Sequence, residues 1–385
     1  MNSWREILLE DVVDELTVGY VGSMHSEYVE DGVPFLRSLN VDPLRINKND
    51  LKFISPEFHR RIKKSRLTPG DVVIVRTGKP GACAVVPDWL ADANCSDLVI
   101  VRCGTQLNNR FLAYYVNTVA SDHIAAHLVG AVQQHFNVGS ARSLKMNLPP
   151  VVEQNAIANL LGNLDDKIDL LHRQNKTLEA MAETQFRQWF VEDAPEGWDE
   201  RPLSGIANFL NGLACQKYPP ANDLEKLPVL KIRELSSGIS ETADWATSHV
   251  KPGYIVEAGD VIFAWSASLM VKVWDGEKCV LNQHLFKVTS NQFPKWFYLR
   301  WCKHHLAEFI AVAASHATTM GHIKRGDLDT AMVLVPPPPV LETMSKQMQP
   351  LLDKQIAIAR QRKTLEKLRD TLLPKLMSGE VRVAY

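Results

Sequence analysis

Two stretches in the first third of the chain carry cationic side chains that are suited to binding anions. Arg60-Arg61-Ile62-Lys63-Lys64 is the densest basic run, and Arg76-Thr77-Gly78-Lys79 places two cations around a glycine that lets a backbone approach a ligand. Contacts of Lys and Arg with phosphate supply affinity for nucleic acid but read no sequence. A solvated surface would carry the basic run equally well. Both stretches are therefore candidate phosphate contacts.

Polar loops late in each half of the chain offer amide, hydroxyl and imidazole groups that can read base edges. Gln and Asn pair with adenine in the major groove, and Arg or Lys pairs with guanine. Exposed polar loops are also ordinary protein surface, and Asn282 with its neighbours could instead satisfy its own turn. The DNA-contacting residues predicted from these loops, together with Lys272, are Gln133, Gln134, His135, Lys272, Asn282, Gln283, His284, Thr318, Thr319, His322 and Lys324.

The elements that would position these residues occur twice. One repeated motif is Lys176-Thr177-Leu178-Glu179, which recurs as Lys363-Thr364-Leu365-Glu366. Another is Gly70-Asp71-Val72-Val73-Ile74, which corresponds to Gly259-Asp260-Val261-Ile262-Phe263. A two-fold internal repeat gives one molecule two similar surfaces. Such a molecule suits a target that also comes in two parts.

Each copy reads as a mixed α/β globular segment, over residues 1–148 and 195–335. Runs rich in β-branched and aromatic residues follow turn signals and predict strands. The clearest predicted strands are Asp71–Arg76, Asp97–Arg102, Asp260–Trp265 and Leu281–Thr289. The best predicted helices, Asn109–Val129 and Pro294–Ala314, stand at matching places in the two copies.

Two long helices are predicted over the segments 149–194 and 336–385, with prolines marking the start of each. Apolar residues recur every seven positions, which indicates a coiled-coil seam more strongly than a helix that merely covers a core. The first segment has four basic and eight acidic side chains, whereas residues 340–385 have nine basic and five acidic ones. Helices of opposite charge can pair. The predicted rows are Ile157, Leu164, Leu171, Leu178 beside Leu161, Ile168, Ala182, Trp189, and Met344, Leu351, Ile358, Leu365, Leu372 beside Met348, Gln355, Arg362, Arg369, Leu376.

Composition and missing motifs favour a binding protein over an enzyme. The chain has 385 residues, 45% of them hydrophobic, and a formal net charge of −1. The sequence has no P-loop, G-x-G-x-x-G, G-x-S-x-G or H-E-x-x-H pattern. Its six cysteines lack zinc-ligand spacing and are expected to be buried thiols in a reducing cytoplasm. No membrane-spanning run is predicted.

Taken together, these motifs resemble those of type I restriction-modification specificity subunits. The resemblance rests on Trp4 with Leu9 and Trp198 with Leu203, the Gly-Asp strands, Arg76-Thr77-Gly78, Leu281-Asn282-Gln283-His284, the prolines before the helices, the Lys-Thr-Leu-Glu repeats and the tail Lys375–Val381. It covers essentially the whole chain, and the order and duplication of the motifs make it specific. Copy two departs from the family pattern, with Trp265-Ser266-Ala267 where the family often keeps Thr-Gly.

The resemblance implies an α/β (α+β) chain with two target-recognition domains in a pseudo-two-fold arrangement, separated by two long antiparallel coiled-coil helices. Each domain would read one half of a bipartite, asymmetric site in double-stranded DNA. The helices would set the spacer and dock two modification (methyltransferase) subunits, and restriction (endonuclease and translocase) subunits would join them. The chain itself would hold no cofactor, since S-adenosylmethionine, ATP and Mg would belong to the partners. The alternatives are a catalytic DNA methyltransferase and a coiled-coil scaffold without DNA binding.

Overall fold

The computed structural model describes residues 4–126, 136–315 and 321–384. The chain divides into two compact units, one formed by Met1–Lys167 with Glu366–Tyr385 and the other by Ile168–Leu365. Each unit contains one globular part, the first portion of one long helix and the last portion of the other. The boundary between the two units thus falls within the long helices, whereas the predicted globular segments end where these helices begin.

The globular part of the first unit consists of short strands with four helices. Its strands are β1 (Arg5–Leu8), β2 (Glu15–Val18), β3 (Tyr28–Val29), β4 (Val33–Leu36), β5 (Val41–Asp42), β6 (Arg45–Ile46), β7 (Lys52–Ile54), β8 (Arg66–Leu67), β9 (Val72–Val75), β10 (Cys83–Val85), β11 (Ala93–Cys95), β12 (Leu98–Arg102) and β13 (Lys145–Leu148). Its helices are α1 (Pro56–Arg61), α2 (Asn109–Thr118), α3 (Ser121–Ala126) and α4 (Val138–Arg142). The first long helix, α5 (Val151–Arg187), follows.

The strands described in this part form four sheets, of which the smallest is the antiparallel pair β5 and β6. An antiparallel sheet has the order β10-β9-β12-β2, and a second sheet has the order β3-β7-β4-β11-β8 with β4 and β11 parallel. Strands β1 and β13 form an antiparallel pair beside the start of α5. All four residues of β9 are buried, as expected for a central strand of a covered sheet.

The globular part of the second unit repeats this plan. Its strands are β14 (Asp199–Pro202), β15 (Asn208–Asn211), β16 (Lys226–Leu230), β17 (Trp245–Thr247), β18 (Ile255–Val256), β19 (Val261–Ala264), β20 (Met270–Val273), β21 (Cys279–Leu281), β22 (Leu285–Thr289) and β23 (Met332–Val335). Its helices are α6 (Leu203–Ile206), α7 (Ile232–Ser237), α8 (Lys295–His304), α9 (Leu306–Ser315) and α10 (Arg325–Thr330). The second long helix is α11 (Pro338–Ser378).

The strand orders match between the two parts. The sheet β20-β19-β22-β15 corresponds to β10-β9-β12-β2, and β17-β16-β21-β18 corresponds to β7-β4-β11-β8, with its own parallel pair β16–β21. Strands β14 and β23 pair as β1 and β13 do. The predicted internal repeat of mixed α/β domains is confirmed.

Three predicted elements are interrupted. The predicted strand Leu281–Thr289 is two strands, β21 and β22, because Asn282–His284 form a loop between them. Each predicted 21-residue helix is also two helices, α2 with α3 and α8 with α9. His305 separates α8 from α9, and its Nε2 lies 2.9 Å from the carbonyl oxygen of Met332. Sequence periodicity carries no information about such a distant partner.

The heptad rows of the long helices face inward. Every member of the four predicted rows is buried or half-buried. In the first unit, the start of α5 shares a hydrophobic core with Leu376 and Met377 near the end of α11. In the second unit, Ala182 and Phe186 near the end of α5 share a core with Met348 near the start of α11. The two helices therefore run antiparallel within each unit.

A carboxylate of α5 ties the two helices together in the first unit. Asp165 accepts a hydrogen bond from Arg369 Nη1 at 2.8 Å and another from the hydroxyl of Tyr114 at 2.5 Å. Burial and the contact with Asp165 raise the pKa of Tyr114 well above its usual range. This Asp165 bridge joins α5 to α11 and both to α2.

A second carboxylate does the same in the second unit. Glu179 accepts two hydrogen bonds from Arg300 at 2.8 Å, one from Lys303 at 2.6 Å and one from Gln355 Nε2 at 2.9 Å. Burial opposes ionisation of this carboxyl group, but Lys303 and Arg300 outweigh that effect and lower its pKa to about 2. This Glu179 bridge joins α5 to α11 and both to α8.

All six cysteines are buried and free, as the sequence predicts. Burial raises the pKa of the Cys103 thiol to about 12, so the thiolate needed for nucleophilic chemistry is scarce at neutral pH. In the parts of the chain that the structure describes, no helix is long and apolar enough to cross a membrane.

We expect Glu179→Gln to destabilise the second unit by about 2 kcal/mol at neutral pH. The substitution leaves the buried Arg300 without its anion, and we place the cost below that of a fully buried pair because the Glu179 side chain is 35% exposed. The pKa of Glu179 falls from 4.5 to about 2 on folding, so its stabilisation is present above about pH 4.5 and disappears towards pH 2. The difference between wild type and variant in urea unfolding should therefore be larger at pH 7 than at pH 3.

Glu183→Gln is the matched control, since Glu183 is exposed on the same helix. If both variants unfold at the same urea concentration at pH 7, the Glu179 bridge contributes nothing to stability.

Candidate nucleic-acid interface

The basic run lies on α1 and the turn that follows it. Ser55 caps the helix by accepting a hydrogen bond from the N–H of Phe58, and Pro56 occupies its first turn. Phe58 is buried beneath the helix, which turns the basic side chains outward. Those exposed side chains are Arg60, Arg61, Lys63 and Lys64. Arg61 is held by Glu27, at 3.0 Å.

A polar cluster forms where β9 ends in the first unit. Arg76 Nη1 donates to one carboxylate oxygen of Asp97 at 2.6 Å, and the hydroxyl of Thr77 donates to the other at 2.6 Å. Arg76 also exchanges hydrogen bonds with the backbone of Phe136. Asp97 directly precedes β12, with a left-handed φ of 48°. We call Arg76, Thr77 and Asp97 the first loop cluster.

A cluster of different composition forms where β19 ends in the second unit. Ser266 Oγ lies 3.2 Å from His284 Nδ1, and the Trp265 indole donates to Asn211 Oδ1 at 3.1 Å. The ring of Trp265 lies 5.9 Å from His284 and 6.3 Å from His322, measured between centroids. We call Trp265, Ser266, His284 and His322 the second loop cluster.

The two clusters stand on the same backbone framework. The N–H of Phe136 donates to the carbonyl of Arg76 at 3.0 Å, and the N–H of Ile323 donates to the carbonyl of Trp265 at 3.1 Å. In the first unit, Thr77 follows Arg76 and contacts Asp97, the residue just before β12. In the second unit, Ser266 follows Trp265 and contacts His284, the residue just before β22. The loop carrying that side chain is one residue longer in the second unit.

A glycine supports the loop in each copy. A Cβ on Gly19 would lie 2.9 Å from the carbonyl oxygen of Cys95, and one on Gly212 would lie 2.2 Å from that of Asn282. Real side chains do not approach backbone so closely. Each glycine therefore allows close approach of the loop backbone that carries Asp97 in the first unit or His284 in the second.

The structure brings only some of the predicted DNA-contacting residues together. Arg76, Thr77, His284 and His322 belong to the loop clusters, while Lys79 is exposed nearby, 3.7 Å from Asp42. Gln283 and Lys324 flank the second cluster in sequence. Five predicted residues lie outside the described residues: Gln133, Gln134, His135, Thr318 and Thr319.

Two predicted residues are placed where base contact is disfavoured. Lys272 on β20 lies 3.2 Å from Asp275 and donates to the carbonyl of Leu235, beside a cavity that α5 and α11 also line. Asn282 is buried, and its side-chain oxygen accepts from the N–H of His284 at 3.4 Å. Asn282 therefore satisfies its own turn, and Lys272 belongs to the helix side of the unit.

Asp97 was missed by sequence reasoning. A search for phosphate contacts selects cations, and an isolated aspartate before a strand has no such signal. Only the fold places its carboxylate against Arg76 and Thr77. Among the described residues, no group of His, Cys, Asp and Glu side chains is arranged to hold a metal ion. What the clusters offer is hydrogen-bond donors and acceptors.

Comparison with known proteins decides the family. Residues 27–180 and 195–367 match the family described as type I restriction modification DNA specificity domain. These two matches take up most of the chain, one in each copy of the repeat. The chain belongs to this family. As a type I specificity subunit, it is a non-catalytic subunit concerned with DNA-target recognition.

Individual relatives agree with this assignment. The type I restriction enzyme MjaIX specificity subunit of Methanocaldococcus jannaschii is 24% identical over 344 residues, which are 83% of this chain and 79% of that protein. The putative MjaX specificity subunit of the same organism is 22% identical, over 99% and 94% of the two chains. The crystal structure of the type I S subunit from M. genitalium shares the fold, with a TM-score of 0.65, 14% identity, and coverage of 98% and 96%.

We expect simultaneous replacement of Arg60, Arg61, Lys63 and Lys64 by Ala to weaken binding of every duplex by a similar factor. Each lost phosphate contact lowers the slope of log affinity against log salt by about 0.9, so four contacts lower it by at most about 4. The measurement is binding of the assembled methyltransferase to specific and unrelated duplexes across a salt series.

A charge-preserving variant, with Arg and Lys exchanged at the same four positions, should keep most of the wild-type slope. Loss at a single half-site would show that the run reads bases. An unchanged slope would show that these side chains form only a solvated surface.

Proposed function

We propose that this specificity subunit recognises a bipartite, asymmetric sequence in double-stranded DNA, one half by each globular part. The observation that supports the proposal is the repeated framework at the ends of β9 and β19. The same backbone contacts hold a guanidinium–carboxylate pair in one copy and an indole with two imidazoles in the other. A common scaffold with different donors and acceptors suits two half-sites of different sequence.

The predicted contacts then divide into two classes. The exposed cations of α1 and the turn that follows it position the DNA through its phosphates, which carry no sequence information. The polar side chains at the two loop clusters meet base edges. The predicted residues at 133–135 and 318–319 lie outside the described residues and stay predictions.

The long helices set the spacer between the half-sites and dock two modification subunits. Repetition of the helices supports two equal docking surfaces. Thr177 and Thr364 are exposed, and so are Met181 and Leu368, each four residues further along. Equivalent residues therefore present the same pattern on both helices, which suits two copies of one partner.

The catalytic steps belong to the partners. The modification subunits bind S-adenosylmethionine and methylate adenine, and the restriction subunits use ATP and Mg for translocation and cleavage. The complex works in the cytoplasm, where its DNA target is found. This chain contributes recognition and assembly.

Replacement of residues 1–148 by the matching segment of another specificity subunit should change one half of the methylated motif and leave the other half intact. Each half is read by a separate globular part, so the effect should stay local. The measurement is sequencing of methylated adenines in cells that express the chimera with its modification subunit. Replacing 195–335 instead is the reciprocal control. A chimera that alters both halves, or neither, contradicts reading by two separate domains.

A further inference from the structure

Asp97 places a carboxylate beside residues that are candidates for contact with DNA. Its carboxylate lies in the first loop cluster beside Arg76, which precedes Lys79 by three residues. An anion repels phosphate, so the carboxylate cannot serve as a backbone contact. Either it only holds Arg76 in place, or it accepts a hydrogen bond from a base.

Exposure distinguishes the two members of the pair. The Arg76 side chain is 15% exposed, and the Asp97 side chain is 38% exposed. Arg76 is also bound through Nε to the carbonyl of Phe136. The cation is thus the inner, fixed partner, and the carboxylate is the group that solvent or a ligand reaches.

The carboxylate keeps unused acceptor capacity. An ionised carboxylate has about four lone-pair positions, and Arg76 and Thr77 occupy one on each oxygen. These contacts fix its orientation before any ligand arrives. Its left-handed φ of 48° adds a strained backbone, which is a common feature of residues held for function.

We propose that Asp97 reads one base of the first half-site by accepting a hydrogen bond from an exocyclic amino group. In the major groove this group is cytosine N4 or adenine N6, and an aspartate accepting from cytosine N4 is an established pairing. Thymine and guanine present only acceptors at their major-groove edges, which the carboxylate repels. This inference rests on the proposed function, because it names a reading residue for the first domain.

His284 occupies the corresponding place in the second unit. It directly precedes β22, a central strand of its sheet, and contacts the hydroxyl of Ser266 just after the end of β19. Its side chain is exposed, and its Nε2 lies 3.3 Å from Nε2 of the neighbouring Gln283. The residue before β12 or β22 is therefore the reading position in each domain, with different chemistry in the two half-sites.

The test compares Asp97→Asn with wild type in the assembled methyltransferase, on duplexes randomised at each position of the first half-site. Asn tolerates a left-handed φ, so the loop is preserved, while one acceptor becomes a donor. At one position, the preference for cytosine or adenine over the other bases should fall about tenfold or more. The second half-site should be read as before.

Two matched variants control for charge and position. Asp88→Asn removes the same charge from an exposed residue of the same domain and should leave the motif unchanged. His284→Asn should alter the second half-site only. Thermal unfolding of each variant separates a loss of reading from a loss of fold.

The inference can also be tested on the wild-type chain, without any substitution. Duplexes carry 2-pyrimidinone in place of cytosine, or purine in place of any adenine other than the methylated one, at each position of the first half-site, which deletes only the amino group. Methylation should fall about tenfold or more at the position that Asp97 reads, and the effective analogue identifies the base. Asp97→Asn should abolish that sensitivity.

If the Asp97→Asn variant unfolds more easily but still methylates the wild-type motif, the inference is overturned. Base analogues that have no effect at any position would also overturn it. A wild-type complex that shows no base preference in the first half-site would instead overturn the proposed function.

Discussion

The antiparallel pairing of α5 with α11 within each unit is the constraint on which the rest of that unit depends. Asp165 of α5 bonds Arg369 of α11 in the first unit, and Glu179 bonds Gln355 in the second. The two bridges lie fourteen residues apart along each helix, which is two heptads. A shift of the helices by one residue would break both bridges and turn the apolar rows away from each other. Arg369 and Gln355 are thus not defects in an apolar row but the residues that fix its register.

Each bridge also attaches a globular part to the seam. Tyr114 on α2 shares Asp165, and Arg300 on α8 shares Glu179. The chemistry of the attachment differs between the copies, while the repeated architecture is the same. The same relation holds at the loop clusters, where one backbone framework presents a carboxylate in the first unit and an imidazole in the second. Repetition has preserved geometry and varied side-chain chemistry, which is what a reader of two unlike half-sites requires.

The sequence predicted features that follow from local periodicity. The duplicated domains, the starts of both long helices at their prolines and the burial of all four heptad rows are confirmed, because spacing along one element determines its buried face. Prediction from the sequence failed where a contact with a residue far away in the chain determines the local structure. The strand Leu281–Thr289 breaks at the Asn282–His284 loop, where the N–H of Asn282 donates to the carbonyl of Leu230 at 3.1 Å. The helix Pro294–Ala314 breaks at His305, which lies 2.9 Å from the carbonyl oxygen of Met332. Asp97 was missed because a carboxylate becomes a candidate only beside the Arg76 that orients it.

We propose that the register between α5 and α11 sets the spacer between the half-sites. Seven residues added to α5 between Asp165 and Glu179, together with seven added to α11 between Gln355 and Arg369, preserve both bridges and lengthen the seam by about 10 Å. Sequencing of methylated sites should then show unchanged half-sites and a spacer about three base pairs longer, at roughly 3.4 Å each. Insertion into α5 alone should abolish methylation, because the register is lost. A paired insertion that remains active with the original spacer would contradict the account.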